Sequence, residues 1–446
     1  MIIMYLNSFL KKNKLKEGDI VEVTKGKTTF AGTIVPSREK NTLSLKLDSG
    51  YNAGLTVSDS LKVKKIGIGK KVGKPHAAKI KTNPGMPTVS ILQVGGTISS
   101  RVDYRTGAVY TAYTPEDLIA LVPELTKMAN IESKLVSNMF SEDMVFEHYT
   151  VLAKEIEKEI KKGVNGIIIP HGTDTMGYTS AALAFMLKNL PIPVILVGAQ
   201  RSTDRGSTDA IMNLVCTIEF ITKTDFSGVG ICMHGNSNDN KCVVLPACKT
   251  RKLHTSRRDA FRAVNDIPIA EIDYNTKKIK FIKKDYPKKG GKFKVIDGIS
   301  EKTALLKVHP NLKHEQIEVF EKNKYKGLVL EGTGLGQAPV GMPNPLCKEN
   351  LKVMKSIESL IKSGCIIVMT SQCIFGRVQM HVYSNAVDLV KLGVIPGEDM
   401  LPETAFIKLA WLLGNFKKEE VKKLMPKNLR GEINKRTEIQ EPEKFS

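Results

Sequence analysis

The chain has 446 residues, of which 41% are hydrophobic and 25% charged, a composition that excludes a mainly disordered protein. No run of about 18 uncharged apolar residues occurs, so we expect no membrane span, and the start lacks the order of a secretory signal peptide. The seven cysteines form no CxxC pair, which predicts reduced thiols in a cytoplasmic protein and neither a disulfide framework nor a zinc site.

The chain is strongly basic, with 67 lysine and arginine residues against 46 aspartate and glutamate residues and a net charge of +21. A charge of this size attracts a polyanion through its long-range field. A lysine-rich proteome produces the same excess, so the charge by itself identifies no partner.

The first part of the chain is a series of short strands. The runs DIVEV, TFAGTIV and TLSLKL alternate apolar and polar residues between glycine, asparagine and serine turns, which predicts a small β-barrel domain, or a small antiparallel sheet, over residues 1–64. Residues 65–86 are rich in lysine and glycine and contain two prolines. They predict a basic linker, which we interpret as a solvated tether.

From residue 87 the pattern becomes that of an α/β protein. The apolar runs VSILQV, GIIIP, VILVGA and GVGICM alternate with helical segments, which predicts an α/β domain with a mainly parallel sheet over residues 87–290. A polar, basic stretch at 270–300 predicts an antiparallel edge ribbon. The runs ALLKV, GLVLEG and CIIVMT predict a second such domain at 300–420, and residues 421–446 predict a polar tail that is loosely ordered or contacts a partner.

Four polar segments follow apolar runs, at the strand ends where open α/β sheets place their ligands. They are QVGGTI at 93–98, SEDM at 141–144, HGTDTM at 171–176, and RKLHT around Lys252. Each alone has a structural explanation. Paired glycines form tight turns, HGTD suits a capped helix start, and lysines are usually solvated.

Together, and in this order, the four segments resemble the bacterial-type L-asparaginase/glutaminase family over residues 88–415. The lysine before the DAF segment at 259–261 and the DMLPE helix start at 399–403 belong to the same resemblance. It implies two asparaginase-like α/β domains and a set of five catalytic residues. These are Thr97, Tyr104, Thr173, Asp174 and Lys252.

The resemblance also implies roles for these residues. A primary carboxamide is a poor electrophile, so its hydrolysis benefits from a covalent acyl-enzyme step. Thr97 would be the nucleophile, and Tyr104, which matches the mobile-loop tyrosine of the family, would lie close to its hydroxyl. In the triad, Thr173 would orient or activate the attacking group, Lys252 would supply positive charge, and Asp174 would hold both. Backbone N–H groups of the glycine-rich and HGTD turns would stabilise the oxyanion.

The substrate site implied by the resemblance comprises Gly96, Ser141, Glu142, Gly172 and Asp174. Ser141 and Glu142 match positions that hold the amino-acid end of glutamine or asparagine, and Asp174 would also pair with its ammonium group. Many asparaginases have Gln at the position of Glu142. No metal is implied at this site.

The amino-terminal segments are similar to those of the D subunits of archaeal glutamyl-tRNA(Gln) amidotransferases, through GDIVEV at 18–23, LSLKL at 43–47 and GYNAG at 50–54. The segment that begins SQCIFGRVQMH at 371 shares this similarity. It implies that ammonia released here passes to a partner, the amidotransferase E subunit, which uses ATP and Mg²⁺ to convert Glu-tRNA(Gln) to Gln-tRNA(Gln). It further implies no cofactor in this chain, a homodimer within a heterotetramer, and tRNA bound mainly by the partner.

Two other hypotheses are compatible with the sequence. One is a free-standing L-asparaginase/glutaminase with an appended β-barrel. The other is an inactive scaffold that binds RNA through its basic amino-terminal region, which the complete set of catalytic residues disfavours. Dependence of glutaminase activity on the E subunit and charged tRNA separates the amidotransferase reading from the free-standing enzyme.

Overall fold

The computed structural model describes residues 5–26, 28–35, 37, 40–47, 52–68, 83–102, 109–111, 122–203 and 208–436. Within these ranges an amino-terminal antiparallel sheet precedes two α/β domains, which confirms the fold class predicted from the sequence. None of the described helices is long and apolar enough to cross a membrane.

The amino-terminal domain is a five-stranded antiparallel sheet of order β4-β3-β2-β1-β5. Its elements are α1 (Leu6–Lys12), β1 (Asp19–Lys25), β2 (Thr28–Val35), β3 (Thr42–Leu47), β4 (Asn52–Thr56) and β5 (Lys62–Ile68). Alternate residues of β1, including Val21 and Val23, are fully buried and pack with Phe9 of α1. Strand β5 runs to Ile68, so residues 65–68, which were predicted as part of the linker, belong to this sheet.

The first α/β domain is built on an eight-stranded sheet of order β18-β17-β14-β13-β12-β10-β6-β9. Its elements are β6 (Thr88–Gly95), β7 (Ser100–Val102), β8 (Val109–Thr111), β9 (Asn130–Met139), α2 (Phe146–Lys162), β10 (Gly166–Pro170), α3 (Met176–Met186), β11 (Leu187–Lys188), β12 (Val194–Val197), α4 (Ala210–Lys223), β13 (Val229–His234), β14 (Lys241–Pro246), β15 (Thr250–Lys252), β16 (Phe261–Ala263), β17 (Ala270–Asp273), β18 (Ile279–Phe281) and β19 (Lys294–Val295). Strands β9, β6, β10, β12 and β13 are parallel. Strands β17 and β18 form the expected antiparallel edge.

The second α/β domain has a four-stranded, fully parallel sheet of order β20-β21-β22-β23. Its elements are β20 (Thr303–Lys307), α5 (Glu315–Lys322), β21 (Gly327–Gly332), α6 (Lys348–Lys362), β22 (Ile366–Ser371), α7 (Ser384–Leu392), β23 (Ile395–Pro396), α8 (Pro402–Asn415) and α9 (Lys418–Leu424). Helix α8 packs on α3 of the first domain, where the rings of Trp411 and Phe185 stack with centroids 5.5 Å apart. One hydrophobic core therefore spans both domains.

The carboxy-terminal segment corrects the expectation of a loosely ordered tail from residue 421. Helix α9 continues to Leu424, and the chain then folds back so that Met425 and Glu432 are buried. Glu432 pairs with the equally buried Lys408 of α8 at 2.6 Å. The chain is thus part of the fold as far as residue 436, and the last ten residues of the predicted tail lie outside the described residues.

Candidate active site

Three of the four polar segments lie at one edge of the large sheet. They follow β6, β9 and β10, which are adjacent and parallel. The carboxyl ends of parallel strands meet at the same edge, which is where such sheets bind ligands. A fourth turn at this edge follows β12 and contains Gln200.

Two glycines allow the turns to pack in direct contact. Gly96 has φ of +84°, and a Cβ atom on it would lie 2.2 Å from the backbone nitrogen of Gly172. A Cβ atom on Gly172 would lie 2.6 Å from the Cβ of Ser141. Side chains at either position would separate the three turns, so glycine is required by this close approach. The hydroxyl of Thr175 also donates to the carbonyl oxygen of Ser141 at 2.7 Å.

The turns enclose a cavity of about 330 Å³. Seven of its lining residues were predicted from the sequence as catalytic or substrate-binding: Gly96, Thr97, Ser141, Glu142, Gly172, Thr173 and Asp174. The two threonines expected to do the chemistry therefore face one cavity. Tyr104 falls in 103–108, outside the described residues, between strands β7 and β8, which pair with each other.

Four lining residues were not predicted from the sequence: Phe140, Gln200, Arg201 and Ser202. The last three follow the apolar run VILVGA, which forms β12. The rule that found the other segments, polar residues directly after an apolar strand, would also have found these three.

Lys252 brings a positive charge to the second threonine. Its ammonium group donates to the hydroxyl oxygen of Thr173 at 2.8 Å and to the carboxylate of Asp174 at 2.9 Å. Because a lysine ammonium only donates, the hydroxyl proton of Thr173 remains free for another acceptor. The Lys252 side chain is 15% exposed and that of Asp174 is 65% exposed, so the pair runs from the interior to the solvent.

His171 fixes the HGTD turn through hydrogen bonds of both its ring nitrogens. Its ring is fully buried, and burial lowers its pKa from 6.5 to about 4, so it is neutral near neutral pH. The Nδ1 atom lies 2.6 Å from the carbonyl oxygen of Gly172, which can only accept, so Nδ1 carries the proton. Nε2 then accepts from the hydroxyl of Thr179 at 2.8 Å. Both ring nitrogens are used, and the turn is fixed.

The turn after β12 is held by a buried carboxylate. Asp209 accepts the backbone N–H groups of Gln200 at 3.0 Å and Arg201 at 3.1 Å. Burial raises the pKa of Asp209, although these backbone hydrogen bonds oppose the shift. A Cβ atom on Gly198 would lie 2.9 Å from the methyl group of Thr173, so this turn also packs against the second threonine.

A group of residues with metal-ligand chemistry lies elsewhere. Donor atoms of His314, Glu315 and Glu349 lie within 4.8 Å of one another. These residues are at the starts of α5 and α6 in the second α/β domain, and none of them lines the cavity.

Comparisons with known proteins cover nearly the whole chain. Residues 15–66 match the family described as GatD N-terminal domain, 88–286 match Asparaginase, N-terminal, and 302–425 match Glutaminase/Asparaginase C-terminal domain. The glutamyl-tRNA(Gln) amidotransferase D subunit of Pyrococcus abyssi is 46% identical over 440 residues, which cover 96% of this chain and 98% of that protein. The corresponding D subunit of Methanococcus maripaludis strain C6 is 44% identical over 424 residues, 94% of this chain and 98% of that protein.

Solved asparaginase structures have the same fold. The thermostable L-asparaginase from Thermococcus kodakarensis matches with a TM-score of 0.68 at 27% identity, covering 78% of this chain and 99% of that one. L-asparaginase I from Vibrio cholerae matches with a TM-score of 0.66 at 29% identity and the same two shares. The part of this chain left over is comparable in size to the amino-terminal domain and the segment that follows it.

Proposed function

The chain belongs to the family of glutamyl-tRNA(Gln) amidotransferase D subunits, and on this premise we propose that its cavity releases ammonia from glutamine, or from asparagine, for transfer to Glu-tRNA(Gln). The chain is the asparaginase-like glutaminase subunit of such an amidotransferase. One observation carries the proposal. Thr97 and Thr173 line a single cavity, and the ammonium group of Lys252 contacts Thr173 and Asp174 together.

The first half of the reaction forms an acyl-enzyme. The Oγ atom of Thr97 attacks the carboxamide carbon, and the C–N bond breaks. The Thr97 proton passes to the departing nitrogen, which leaves as ammonia, and Tyr104 relays it. Backbone N–H groups of the turns that follow β6 and β10 stabilise the oxyanion, and each such donor contributes about 3–4 kcal/mol to transition-state stabilisation. The N–H group of Gly96 is not one of them, because it donates to the carbonyl oxygen of Met139 at 3.1 Å.

The second half releases the acid. Water attacks the ester carbon, its proton returns to Thr97 Oγ, and glutamate or aspartate is freed. Thr173 orients the attacking group, since its oxygen accepts from Lys252 and its own proton is available to the reacting atoms. The positive charge of Lys252 stabilises negative charge that develops beside it. Asp174 holds the ammonium of Lys252 in place.

Two carboxylates at the cavity are placed to bind the amino-acid end of the substrate. Glu142 and Asp174 both line the cavity and are exposed, so their carboxylates suit an α-ammonium group. Ser141 is buried, lines the same cavity and offers a hydroxyl for the α-carboxylate. Glutamine and asparagine both carry these two groups, and both fit this description.

Ammonia is consumed by a partner. We assign ATP and Mg²⁺ chemistry to the E subunit, and tRNA binding mainly to that protein, since this sequence contains no phosphate-binding P-loop. The asparaginase-like part pairs as a homodimer within a heterotetramer. Exposed apolar side chains on the loops after β21 and β22, including Leu346 at 95%, Phe375 at 47% and Tyr383 at 56% exposure, support a protein-covered surface there.

The test compares three mixtures: the chain alone, the chain with the E subunit, and both with Glu-tRNA(Gln), ATP and Mg²⁺. Ammonia release and Gln-tRNA(Gln) formation are measured in each. The proposal expects ammonia release that rises with partner and charged tRNA and is matched by Gln-tRNA(Gln). Equal ammonia release in all three, without Gln-tRNA(Gln), would instead establish a free-standing asparaginase/glutaminase with an appended amino-terminal domain.

A further inference from the structure

The strand that carries Lys252 is attached to the second α/β domain. The carbonyl oxygen of Cys248 accepts the hydroxyl of Thr404 at 2.9 Å. Beyond Lys249, Arg251 pairs with Glu403 at 3.1 Å. Thr404 and Glu403 lie in the first turn of α8, so contacts on both sides of Lys249 lead to the same helix start.

The central contact is an ion pair that water does not reach. The ammonium of Lys249 lies 2.8 Å from both the carboxylate and the carbonyl oxygen of Asp399. The two side chains are 0% and 1% exposed. Asp399 also accepts the backbone and side-chain N–H groups of Asn434, each at 3.0 Å. The two hydrogen bonds from Asn434 therefore fix the Asp399 carboxylate independently of its contact with Lys249.

Neither residue lines the cavity, and a buried ion pair is weak evidence for a stabilising role. Removing two charges from water costs about as much as their attraction returns, and apolar replacements of similar volume are often neutral or stabilising. Buried ion pairs do specify geometry in some proteins, because only one arrangement satisfies both charges.

The geometry points to Lys249 and Asp399 as positioning residues that set the place of Lys252, an inference that rests on the proposed function. Strand β15 has three residues and pairs only with the equally short β16 among the described strands. So short a ribbon is held weakly by its own backbone hydrogen bonds. Lys252 must nevertheless keep its ammonium 2.8 Å from Thr173. Lys249 lies three residues before Lys252, and its ion pair with Asp399 fixes the backbone at the start of β15.

The second fully buried lysine provides a matched control. Lys408 pairs with Glu432 at 2.6 Å, and both side chains are 0% exposed. Lys408 otherwise donates to the carbonyl oxygens of Met425 and Lys427. This pair has the same chemistry and burial as Lys249–Asp399, but its own hydrogen bonds go to the carboxy-terminal segment, and none of them reaches β15 or Asp399.

The experiment compares the double variants K249M/D399N and K408M/E432Q with the wild-type chain, assembled with the E subunit and supplied with Glu-tRNA(Gln). Each variant removes both charges, so no unpaired charge stays buried. For K249M/D399N we expect kcat for ammonia release to fall about 100-fold, the size produced by a misplacement of about 1 Å. KM should stay within about threefold, because the groups that bind substrate are untouched. K408M/E432Q should keep the wild-type kcat.

The outcomes separate positioning from simple stability. Wild-type kcat in K249M/D399N overturns the inference, and so does an equal fall in both double variants. If K249M/D399N does not fold, D399E keeps the charge pair and lengthens one arm by a methylene group. A lowered kcat at unchanged melting temperature then supports the inference, and an unchanged kcat overturns it.

A structural measurement keeps this inference distinct from the proposed function. If the wild-type complex releases no ammonia, the proposed function fails, and the crystal structure of K249M/D399N still tests the placement of Lys252. A lengthened Lys252–Thr173 contact supports positioning, whereas a contact kept at 2.8 Å refutes it.

Discussion

The two α/β domains share a parallel-sheet architecture and differ in what their strand-end loops do. In the first domain the loops pack in direct contact at Gly96 and Gly172 and enclose a polar cavity. In the second the corresponding loops expose Leu346, Phe375 and Tyr383. All the described cavity-lining residues come from the first domain, while the second contributes buried contacts to the strand of Lys252. The architecture is thus common to both, and loop chemistry decides which domain holds the site.

The strongest test of this division is Thr97→Ala. If the first domain carries the chemistry on this hydroxyl, ammonia release falls by a factor of about 10⁴ or more, as when other covalent enzymes lose their nucleophile. The change removes a small group from a partly buried site, so the circular dichroism spectrum should match that of the wild type. Retained activity in a folded variant would rule out Thr97 as the nucleophile.

A smaller loss is expected for Lys252→Met. Proton-transfer and charge-stabilising groups typically contribute about 10²–10⁴-fold, so we expect kcat to fall by about 10³. The control is Lys362→Met, which removes the same charge from α6 of the second domain, where the lysine is 73% exposed and pairs with Glu358. Equal kinetics for the two variants would contradict the division of labour between the domains.

The buried side chain of His171, in the HGTD turn, predicts that the free energy of unfolding depends on pH. The pKa of His171 is about 4 when folded against 6.5 ordinarily, so the unfolded chain binds the extra proton between these values. The free energy of unfolding therefore falls as pH drops through 6.5 and levels off below about 4, by about 3 kcal/mol in total.

Urea unfolding of the wild type and of H171Q at a series of pH values measures this contribution. The glutamine variant lacks the titrating group, so the difference between the two proteins should shrink as the pH falls from 7 to 4. A difference that stays constant over this range would show that His171 is not held neutral by burial.

The smallest effect concerns the close approach of the loops. Gly96→Ala places a methyl group 2.2 Å from the backbone of Gly172, whereas Gly431→Ala meets nothing within 4 Å. The two glycines have φ of +84° and +83°, so backbone strain is equal in both variants. Overpacking costs about 1–3 kcal/mol, and we expect G96A to be less stable than G431A by about 2 kcal/mol in urea unfolding. Equal stability would mean that the loops can separate freely.

Much of the fold follows from local patterns. Apolar runs at regular intervals indicated the parallel strands, and the alternation in β1 indicated a sheet with one buried face. The polar segments after β6, β9 and β10 were found because a strand end is a local feature. The turn after β12 follows the same rule but was not among the predicted segments; its sequence, GAQRS, carries no paired glycine and no acidic residue.

The carboxy-terminal segment shows where local patterns fail. Residues 421–436 are polar, and polarity predicts exposure because burying a charge is costly. The structure nevertheless buries Glu432, since Lys408 and two backbone N–H groups satisfy its carboxylate. A charge can be buried when distant groups compensate it, and those groups are not neighbours in sequence.

The amino-acid sequence by itself therefore determined the order of strands and helices and the types of side chain at the strand ends. These features depend on propensity and periodicity, which act over a few residues. Tertiary structure alone decided that the Lys252 ammonium meets Thr173, 79 residues away along the chain, and that Lys249 is buried against Asp399. Such contacts depend on how whole elements pack, and packing is set by the sum of many distant interactions that no short stretch of sequence contains.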